Sequence, residues 1–357
     1  MFLSKMRPNK IFSPVASIIN VFIIFFFLTI SVKTDENKIK FFANDKGVLS
    51  IMYHRFDENK YPSTNIRMEI FKKHMEIIRE KKYNFLSPED FDKNFHKVKS
   101  SKDILITIDD GFSSFYKHAW PYLKERKIPF ILFISTEAVG KTGYMNWEQI
   151  KEIEKENFAF IGNHSHSHKY LLEFSLDHFK NDILKSIKIF ETNLGYNPIY
   201  FSYPFGEFSL EQTSFIKKYF KYGFGQHSGV IDVNKDPYEL PRFPINEKYG
   251  ELERFAFNID LLPLEYKKVI PKDKYIINNN PPKLEIEFFK NQKNLDKVNC
   301  FSDEGAGWKK TNIMYKGKKL IVNFSDKFNF RRGRINCSLN DTDGWRWFGL
   351  QFSVKLN

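Results

Sequence analysis

Apolar and polar positions alternate in two different ways along this chain, and each pattern occupies one continuous part of it. In the first part, apolar runs of strand length cover residues 48–53, 103–108 and 128–134. Between these runs, apolar residues recur every three or four positions, most clearly over 176–194, where Gly195 is the expected C-terminal cap. Strands that alternate with helices predict a parallel β-sheet covered by helices.

Beyond residue 265 the pattern changes to a period of two. Residues 265–282 carry clustered Pro and Asn and are predicted to form a linker. From 283 to 357 apolar and polar residues alternate, most regularly over 348–356. Alternation of this kind predicts half-buried antiparallel strands, so a small, sandwich-like all-β accessory module of about 75 residues is expected.

The beginning of the chain has the pattern of an export segment. Three basic residues precede an apolar run from Val15 to Val32, and residues 1–32 contain no acid. This pattern is typical of a signal peptide or of a membrane anchor. Both interpretations place the remaining chain outside the cytoplasm, as a periplasmic, secreted or membrane-attached protein of the cell envelope. The polar residues 33–46 are predicted to be a tether.

Composition and charge narrow the class of protein. The 357 residues are 42% hydrophobic and 28% charged, which is ordinary for a soluble globular protein. The net charge of +13 favours anionic partners, but no stripe of Lys and Arg is present, so a nucleic-acid partner is not expected. In an exported chain Cys300 and Cys337 are expected to form a disulfide, with two free buried thiols as the alternative.

Polar residues follow three of the predicted strands. Strand 103–108 is followed by Asp109 and Asp110, strand 48–53 by His54, and a third strand by the histidine-rich residues 162–168. In parallel α/β folds such strand ends meet at one edge of the sheet. Because neighbouring residues of an extended chain point to opposite sides, one aspartate can bind a cation while the other faces a bound water. One carboxylate and two imidazoles are a typical ligand set of catalytic zinc.

Three segments resemble motifs of the polysaccharide deacetylases, carbohydrate esterase family 4. Residues 107–111 (TIDDG) resemble the T-F-D-D-G motif of the family, residues 163–168 (NHSHSH) resemble its H-[ST]-x-x-H motif, and residues 201–206 (FSYPFG) resemble its R-x-P-Y-G motif. Residues 49–54 (LSIMYH) are similar to the opening strand of the circularly permuted branch, which includes the poly-N-acetylglucosamine deacetylases. The resemblance implies a distorted (β/α) barrel over residues 47–264.

The resemblance also implies a role for each matching residue. Asp109 corresponds to the general base, and Asp110, His164 and His168 correspond to the metal ligands. Zinc is the default divalent metal for this ligand set, with Co²⁺, Ni²⁺, Fe²⁺ and Mn²⁺ as alternatives. The backbone N–H of Phe205 is implied to stabilise the oxyanion. The expected substrate-binding residues are Tyr203, Pro204, Phe205 and Gly206.

The sequence departs from the family pattern at two points. Ser202 stands where the family has an arginine that orients the catalytic aspartate, and Arg242 is expected to supply the guanidinium instead. The late L-x-H-D motif of the family is also missing. His54 is therefore predicted to be the general acid, and His227 is the competing candidate.

These features predict a metal-dependent hydrolase that removes N-acetyl groups from the amino sugars of an extracytoplasmic polysaccharide. The expected partner is a polymer that contains N-acetylglucosamine. Two alternatives stay open: another amide or formamide hydrolase on the same scaffold, and a carbohydrate-binding protein without catalytic activity. Trp345 and Trp347 are considered as a sugar platform on the accessory module, although packing of at least one of them inside it is favoured.

Overall fold

A computed structural model describes residues 47–95, 102–232, 235–289 and 294–355. The predicted export segment and the tether, residues 1–46, lie outside these ranges. Within them, no helix combines the length and the apolar character that crossing a membrane requires.

Helices and strands alternate in the first part of the chain, and strands dominate the last part. The helices are α1 (Met68–Glu80), α2 (Pro88–Asn94), α3 (Trp120–Arg126), α4 (Trp147–Glu154), α5 (Leu176–Leu194), α6 (Leu210–Ile216) and α7 (Leu252–Asp260). The strands of the first part are β1 (Val48–Tyr53), β2 (Arg55–Phe56), β3 (Asn65–Ile66), β4 (Asn84–Phe85), β5 (Asp103–Ile108), β6 (Phe130–Ile134), β7 (Ala159–Asn163), β8 (Tyr200–Ser202), β9 (Tyr222–Phe224) and β10 (Phe243–Pro244). The strands of the last part are β11 (Leu262–Pro263), β12 (Lys268–Ile270), β13 (Tyr275–Ile276), β14 (Leu284–Glu287), β15 (Asn299–Asp303), β16 (Trp308–Lys310), β17 (Asn312–Lys316), β18 (Lys319–Asn323), β19 (Arg332–Asp341) and β20 (Gly344–Val354).

The first part is built around a parallel sheet. Its strands follow the order β10-β1-β5-β6-β7-β8-β9, β4 also pairs with β5, and all pairings are parallel. A parallel bridge between Phe224 and Leu240 brings the two outer strands towards each other. The sheet therefore forms an incomplete barrel. Strands β1, β5 and β6 are buried at every position, as expected for parallel strands covered on both faces.

Helix α5 confirms the clearest helix predicted from the sequence. The Ser175 side chain caps its first turn by accepting a hydrogen bond from the backbone N–H of His178. Gly195 ends the helix in the left-handed conformation, with a φ of 84°. Phe179, Ile183 and Phe190 face the core, so the apolar stripe seen in the sequence is the buried face.

Two further sheets, mainly antiparallel, follow α7. One has the order β11-β20-β19-β15-β16, with β13 beside β20, and the other has the order β12-β14-β18-β17. Side chains of both sheets form one apolar core, which includes Leu284 and Leu320 from one sheet and Ile335 and Phe352 from the other. The two sheets thus pack face to face in a sandwich-like arrangement.

The residues predicted to form a linker, 265–282, take part in these sheets. They contain β12, which pairs with β14, and β13, which pairs with β20. Pro271 lies between these two strands, and residues 278–282, which hold the other Pro and Asn residues, follow β13; strands of two and three residues are too short to produce a visible period. Residues 265–282 thus contain strands of these sheets, while the predicted bounds of a linker, 265–282, and of an accessory module, 283–357, stay predictions.

Cys300 and Cys337 form a disulfide. They lie directly opposite each other on β15 and β19, and both are fully buried in the core of the sandwich. The cysteines are therefore joined in a disulfide and are not two free buried thiols.

Candidate metal centre and active site

The polar residues that follow the parallel strands meet at one edge of the sheet. The backbone N–H of Asp109 donates to the carbonyl of Tyr53 at 2.9 Å, and that of His164 donates to the carbonyl of Ile134 at 2.9 Å. Each residue therefore continues the hydrogen-bond ladder one step beyond its strand. This continuation fixes the direction in which the side chains leave the sheet edge, which is where active sites of such folds lie.

Asp110, His164 and His168 form a compact group of possible metal ligands. The Oδ1 atom of Asp110 lies 3.1 Å from Nε2 of His168 and 3.4 Å from Nε2 of His164. The two Nε2 atoms are 3.1 Å apart, and all three ligand atoms lie within 4.8 Å of one another. Burial opposes ionisation of Asp110, but the neighbouring His168 and His164 rings outweigh it and hold its pKa well below the usual range.

The Oδ1 atom of Asp110 indicates that a cation fits between these three side chains. Oδ1 is buried and has no hydrogen-bond partner in the described part of the chain, because the two ring nitrogens approach it without hydrogen-bond geometry. A buried carboxylate oxygen normally has a partner. One carboxylate oxygen and two imidazole nitrogens that face one point are a ligand set suited to zinc and related divalent ions, so the residues fit such a metal.

A hydrogen bond to the backbone sets the orientation of His164. Its Nδ1 lies 2.7 Å from the carbonyl oxygen of Ser202, and a carbonyl only accepts, so Nδ1 carries the proton. In the neutral ring, Nε2 then keeps its lone pair and points at Asp110. This arrangement of an oriented histidine with its second nitrogen on a carbonyl is typical of metal sites.

The loop that follows β7 is held by Asp182 of α5, a residue that the sequence analysis did not identify. The Asp182 carboxylate accepts hydrogen bonds from the backbone N–H groups of His166 at 2.9 Å and Ser167 at 3.1 Å. The His166 ring points away from the metal group, with Nδ1 2.9 Å from Oγ1 of Thr136. An acid on the buried face of the predicted helix was the signal in the sequence, because such an acid needs a partner.

Asp109 is held by Arg242 in a buried, two-point ion pair. Nη1 and Nη2 of Arg242 donate to the two carboxylate oxygens of Asp109 at 2.7 and 2.8 Å, and both residues are fully buried. Arg242 also donates to the Ser202 hydroxyl at 2.8 Å and to the carbonyl of Gly225 at 2.9 Å. Burial raises the pKa of Asp109, but the charges of Arg242 and His164 outweigh this effect and lower it overall. Asp109 is therefore a carboxylate at neutral pH.

The guanidinium of Arg242 lies at Asp109, where the sequence analysis expected it, and its role in the reaction stays a prediction. Ser202 occupies the motif position of the missing arginine, and its small side chain leaves room for the guanidinium that arrives from residue 242. The bidentate contact is the strong, directional form of the arginine–carboxylate pair.

His54 follows β1 and is the second histidine near the two aspartates. Its ring is half-buried, and its Nδ1 atom is buried without a hydrogen-bond partner in the described residues. Burial lowers the pKa of His54, and the charges of Asp110 and Asp109 offset part of that effect. The ring thus lies within the field of both carboxylates and keeps one free nitrogen.

His227, the competing candidate, does not join this group. Burial and the positive charges of Lys274 and Arg242 lower the pKa of His227 to about 4. Its ring lines cavities shared with Trp347, and the described residues contain no hydrogen bond or ion pair between it and Asp109 or Asp110. The structure thus brings His54, and not His227, to the carboxylates.

Residues 203–206 form a tight turn next to the metal group. Tyr203 is 1% exposed, and its ring packs on Phe208 while its hydroxyl lies 3.4 Å from the Thr213 hydroxyl. The Tyr203 side chain therefore turns inward after β8, and its substrate-binding role stays a prediction. Pro204 and Gly206 are also buried, and a Cβ on Gly206 would lie 2.4 Å from the backbone nitrogen of Gln226.

Phe205 is the residue of this turn that reaches the site. Its φ of 59° is left-handed, a conformation that costs a non-glycine residue about 1–2 kcal/mol. Its ring centroid lies 4.9 Å from that of His168 and 4.3 Å from that of Tyr170. Gln351 of β20, which the sequence analysis missed, donates from Nε2 to the carbonyls of Phe205 at 3.0 Å and Gly206 at 3.1 Å. The last strand of the chain thus fixes the turn.

Comparison with known proteins identifies the first part of the chain. Residues 96–223 match the family model described as polysaccharide deacetylase. The chain contains a polysaccharide deacetylase domain. The match includes the two aspartates, the histidine loop and the turn at 203–206. The polysaccharide deacetylase domain makes this protein a hydrolase of carbon–nitrogen amide bonds, as the sequence motifs predict.

Relatives and solved structures agree with this identification. The poly-beta-1,6-N-acetyl-D-glucosamine N-deacetylase of Staphylococcus aureus is 25% identical over 244 residues, which are 60% of this chain and 83% of that protein. The deacetylase PplD of Streptococcus pyogenes in complex with acetate has a TM-score of 0.55 at 20% identity, over 60% of this chain and 99% of that one. IcaB from Ammonifex degensii has a TM-score of 0.53 at 24% identity, over 61% and 99%. The last two comparisons establish that the deacetylase domain shares their fold.

Proposed function

We propose that this protein hydrolyses the N-acetyl groups of an N-acetylglucosamine polymer outside the cytoplasm, with a divalent metal as cofactor. One observation carries the proposal: Asp109, held at both oxygens by Arg242, lies beside the Asp110, His164 and His168 group. The similarity to the poly-N-acetylglucosamine deacetylases supports the substrate class. The export-type pattern at the start of the chain and the disulfide between Cys300 and Cys337 support the location.

Asp109 is the proposed general base. The reaction adds water to the acetamido carbon, breaks the bond between that carbon and the nitrogen, and yields acetate and a free amine. Asp109 accepts the proton of the attacking water, and Arg242 holds the carboxylate in place while it does so. Oδ2 of Asp109 lies 3.8 Å from Nε2 of His164, so the base borders the metal group.

Asp110, His164 and His168 are the proposed metal ligands, with zinc as the default ion. A divalent metal held there would polarise the acetyl carbonyl and lower the pKa of a bound water to about 7. The hydrogen bond from His164 to Ser202 keeps the ligand ring oriented, and Asp182 holds the loop that carries His168.

His54 and Phe205 complete the proposed site. His54 donates a proton to the amine nitrogen as the carbon–nitrogen bond breaks, which prevents the amine from leaving as an anion. The backbone N–H of Phe205 donates to the oxyanion that forms on the acetyl oxygen. Gln351 fixes the two carbonyls of this turn and so supports the orientation of its peptide groups.

Acetate release from defined oligomers tests the proposal. The purified chain, loaded with zinc or cobalt, is given β-1,6- and β-1,4-linked N-acetylglucosamine oligomers, with and without chelator. We expect chelator-sensitive release, and Asp109→Asn is expected to keep its metal but to lose ~10²–10⁴-fold in rate. The matched control is Asp177→Asn, because Asp177 is an exposed aspartate on the surface of α5.

Each outcome bears on one part of the proposal. Full activity of Asp109→Asn would remove Asp109 as the base. Absence of acetate release from every oligomer, despite stoichiometric metal in the protein, would favour a different amide substrate on the same scaffold. The preferred linkage would identify the polymer.

A further inference from the structure

A cavity of about 490 Å³ lies between the barrel and the sheet that contains β20. The barrel contributes residues of β10 and α7, and the sheet contributes residues of β15, β16, β19 and β20. None of Asp109, Asp110, His164 and His168 lines it, so it is separate from the metal group. The walls are held together across the two halves by Ser228, whose hydroxyl donates to Oδ1 of Asn336 at 2.9 Å and accepts from Nε1 of Trp347 at 3.0 Å.

Three aromatic side chains line the sheet side of this cavity. Phe301, Trp308 and Trp347 all belong to its lining, and Phe301 and Trp308 are 45% and 43% exposed. Their neighbours in the sequence, such as Cys300 and Ser302, face the opposite side and are buried. A contiguous apolar patch on a surface, unlike a single exposed residue, marks an interaction or ligand-binding site. Flat apolar rings of this kind suit the C–H faces of sugar rings.

The charged side chains that line the cavity favour some sugar substituents over others. Its lining includes Arg254 and Arg334 and contains no Asp or Glu. Within the described residues, neither guanidinium forms an ion pair, and Arg254 instead lies over the Tyr249 ring at 4.6 Å. Asp303, the nearest acid to Arg334 in the ladder, uses its Oδ1 to accept from the backbone N–H groups of Gly305 and Gly307. The lining itself therefore presents two guanidinium groups and no carboxylate, and Asp303 is the acid that lies next to it in the ladder.

The same strand connects this cavity to the active site. Arg334 is the ladder partner of Gln351, which binds the turn at Phe205 and Gly206. Trp347 lies on the same face of β20, four residues before Gln351, a distance of about 13 Å along an extended strand. Strand β20 therefore contributes both to the support of the turn at Phe205 and to the lining of the cavity.

We propose that the cavity is a second glycan-binding site, which holds a still-acetylated segment of the polymer and disfavours a deacetylated one. This inference rests on the proposed function. The acetamido group is neutral, and its carbonyl accepts hydrogen bonds from the donors of Arg334 and Asn336. The free amine left by deacetylation is protonated below its pKa, and it meets two guanidinium groups and no acid. The enzyme thus stays engaged with acetylated stretches and releases its product.

Binding to a catalytically inactive chain tests this inference. Asp109→Asn is titrated calorimetrically with acetylated and with fully de-N-acetylated glucosamine oligomers of equal length and linkage. We expect the acetylated oligomer to bind at least ~10-fold more tightly, and Trp308→Ala to weaken its binding by ~10-fold. Phe289→Ala is the control, because Phe289 is also an exposed aromatic residue, at 38%, but does not line the cavity. Equal unfolding midpoints of the two variants establish that both fold.

Three results would overturn the inference. These are equal affinity for the two oligomers, unchanged affinity of Trp308→Ala, and tighter binding of an acidic oligosaccharide such as an oligogalacturonate. The wild-type chain is assayed in parallel for acetate release. If it releases acetate and Trp308→Ala binds normally, only the second site is refuted, whereas absence of acetate release refutes the proposed function itself.

Discussion

The two halves of the molecule place their polar chemistry in different parts of their sheets. In the parallel sheet, β1, β5 and β6 are buried on both faces, and the aspartates and histidines of the proposed site come after the strands end. In the sheet that contains β19, polar residues lie within the strand: Arg334 and Asn336 alternate with the buried Ile335 and Cys337. When both faces of a sheet are covered, functional residues can lie only at its edge. When one face is covered, the other face is open to functional side chains.

This difference determines how strongly the polar residues depend on one another. At the strand ends, Asp109 and Arg242 are fully buried and form an ion pair with each other. Removal of either one therefore leaves a buried charge without a partner, which destabilises the fold. On the sheet face, Arg334 is half-buried, and within the described residues it forms no salt bridge, although Asp303 is its neighbour in the ladder. Substitutions at the strand ends should therefore affect folding as well as activity, and substitutions on the face should affect binding alone.

Arg242→Met should have the largest effect on stability. It leaves the buried Asp109 carboxylate without its partner, which costs about 3–5 kcal/mol when one member of a buried ion pair is removed. Urea unfolding of both proteins measures the loss. Arg67→Met is the control: Arg67 is half-exposed, its ion pairs with Glu69 and Glu247 lie at the surface, and a change of at most about 1 kcal/mol is expected. Equal losses for the two variants would mean that the buried pair is not coupled as the geometry indicates.

His168→Ala should remove the stabilisation that zinc provides. A ligand that binds only the folded state adds about 2.7 kcal/mol at a concentration of 100 times its Kd. We expect zinc to raise the unfolding midpoint of the wild type and of His178→Ala, whose imidazole is exposed on α5, but not that of His168→Ala. Zinc-dependent stabilisation of His168→Ala equal to that of the wild type would exclude His168 from the ligand set.

The sequence predicted the strand-end half of this comparison more completely than the other half. The strands around β5 are continuous apolar runs, and the rule that parallel strands converge at one edge places Asp109, His164 and His54 together. The missing motif arginine at Ser202 pointed to Arg242, which the structure brings to Asp109. The metal-ligand roles came from motifs in which the ligands are close in the sequence.

Contacts between distant parts of the chain were not predictable in this way. Gln351 lies 146 residues from Phe205, and no local pattern links the two. Tyr203 was expected to contact a sugar because a strand ends there, but the period of a strand does not determine the direction of the residue that follows it. The short strands β12 and β13 contain too few residues for alternation to appear. In each case the missing information is tertiary, because it depends on which element packs against the residue.

Arg334→Met should have the smallest effect on stability, although it is the same chemical change as Arg242→Met. Arg334 faces a cavity, forms no ion pair in the described residues, and no buried carboxylate depends on it, so we expect a change within about 1 kcal/mol. Urea unfolding measures it beside Arg242→Met. A loss as large as that of Arg242→Met would mean that the face of the second sheet also depends on mutual burial, and the contrast between strand ends and sheet face would no longer hold. A small loss, together with weakened binding of acetylated oligomers, would assign the face to recognition and the strand ends to both folding and chemistry.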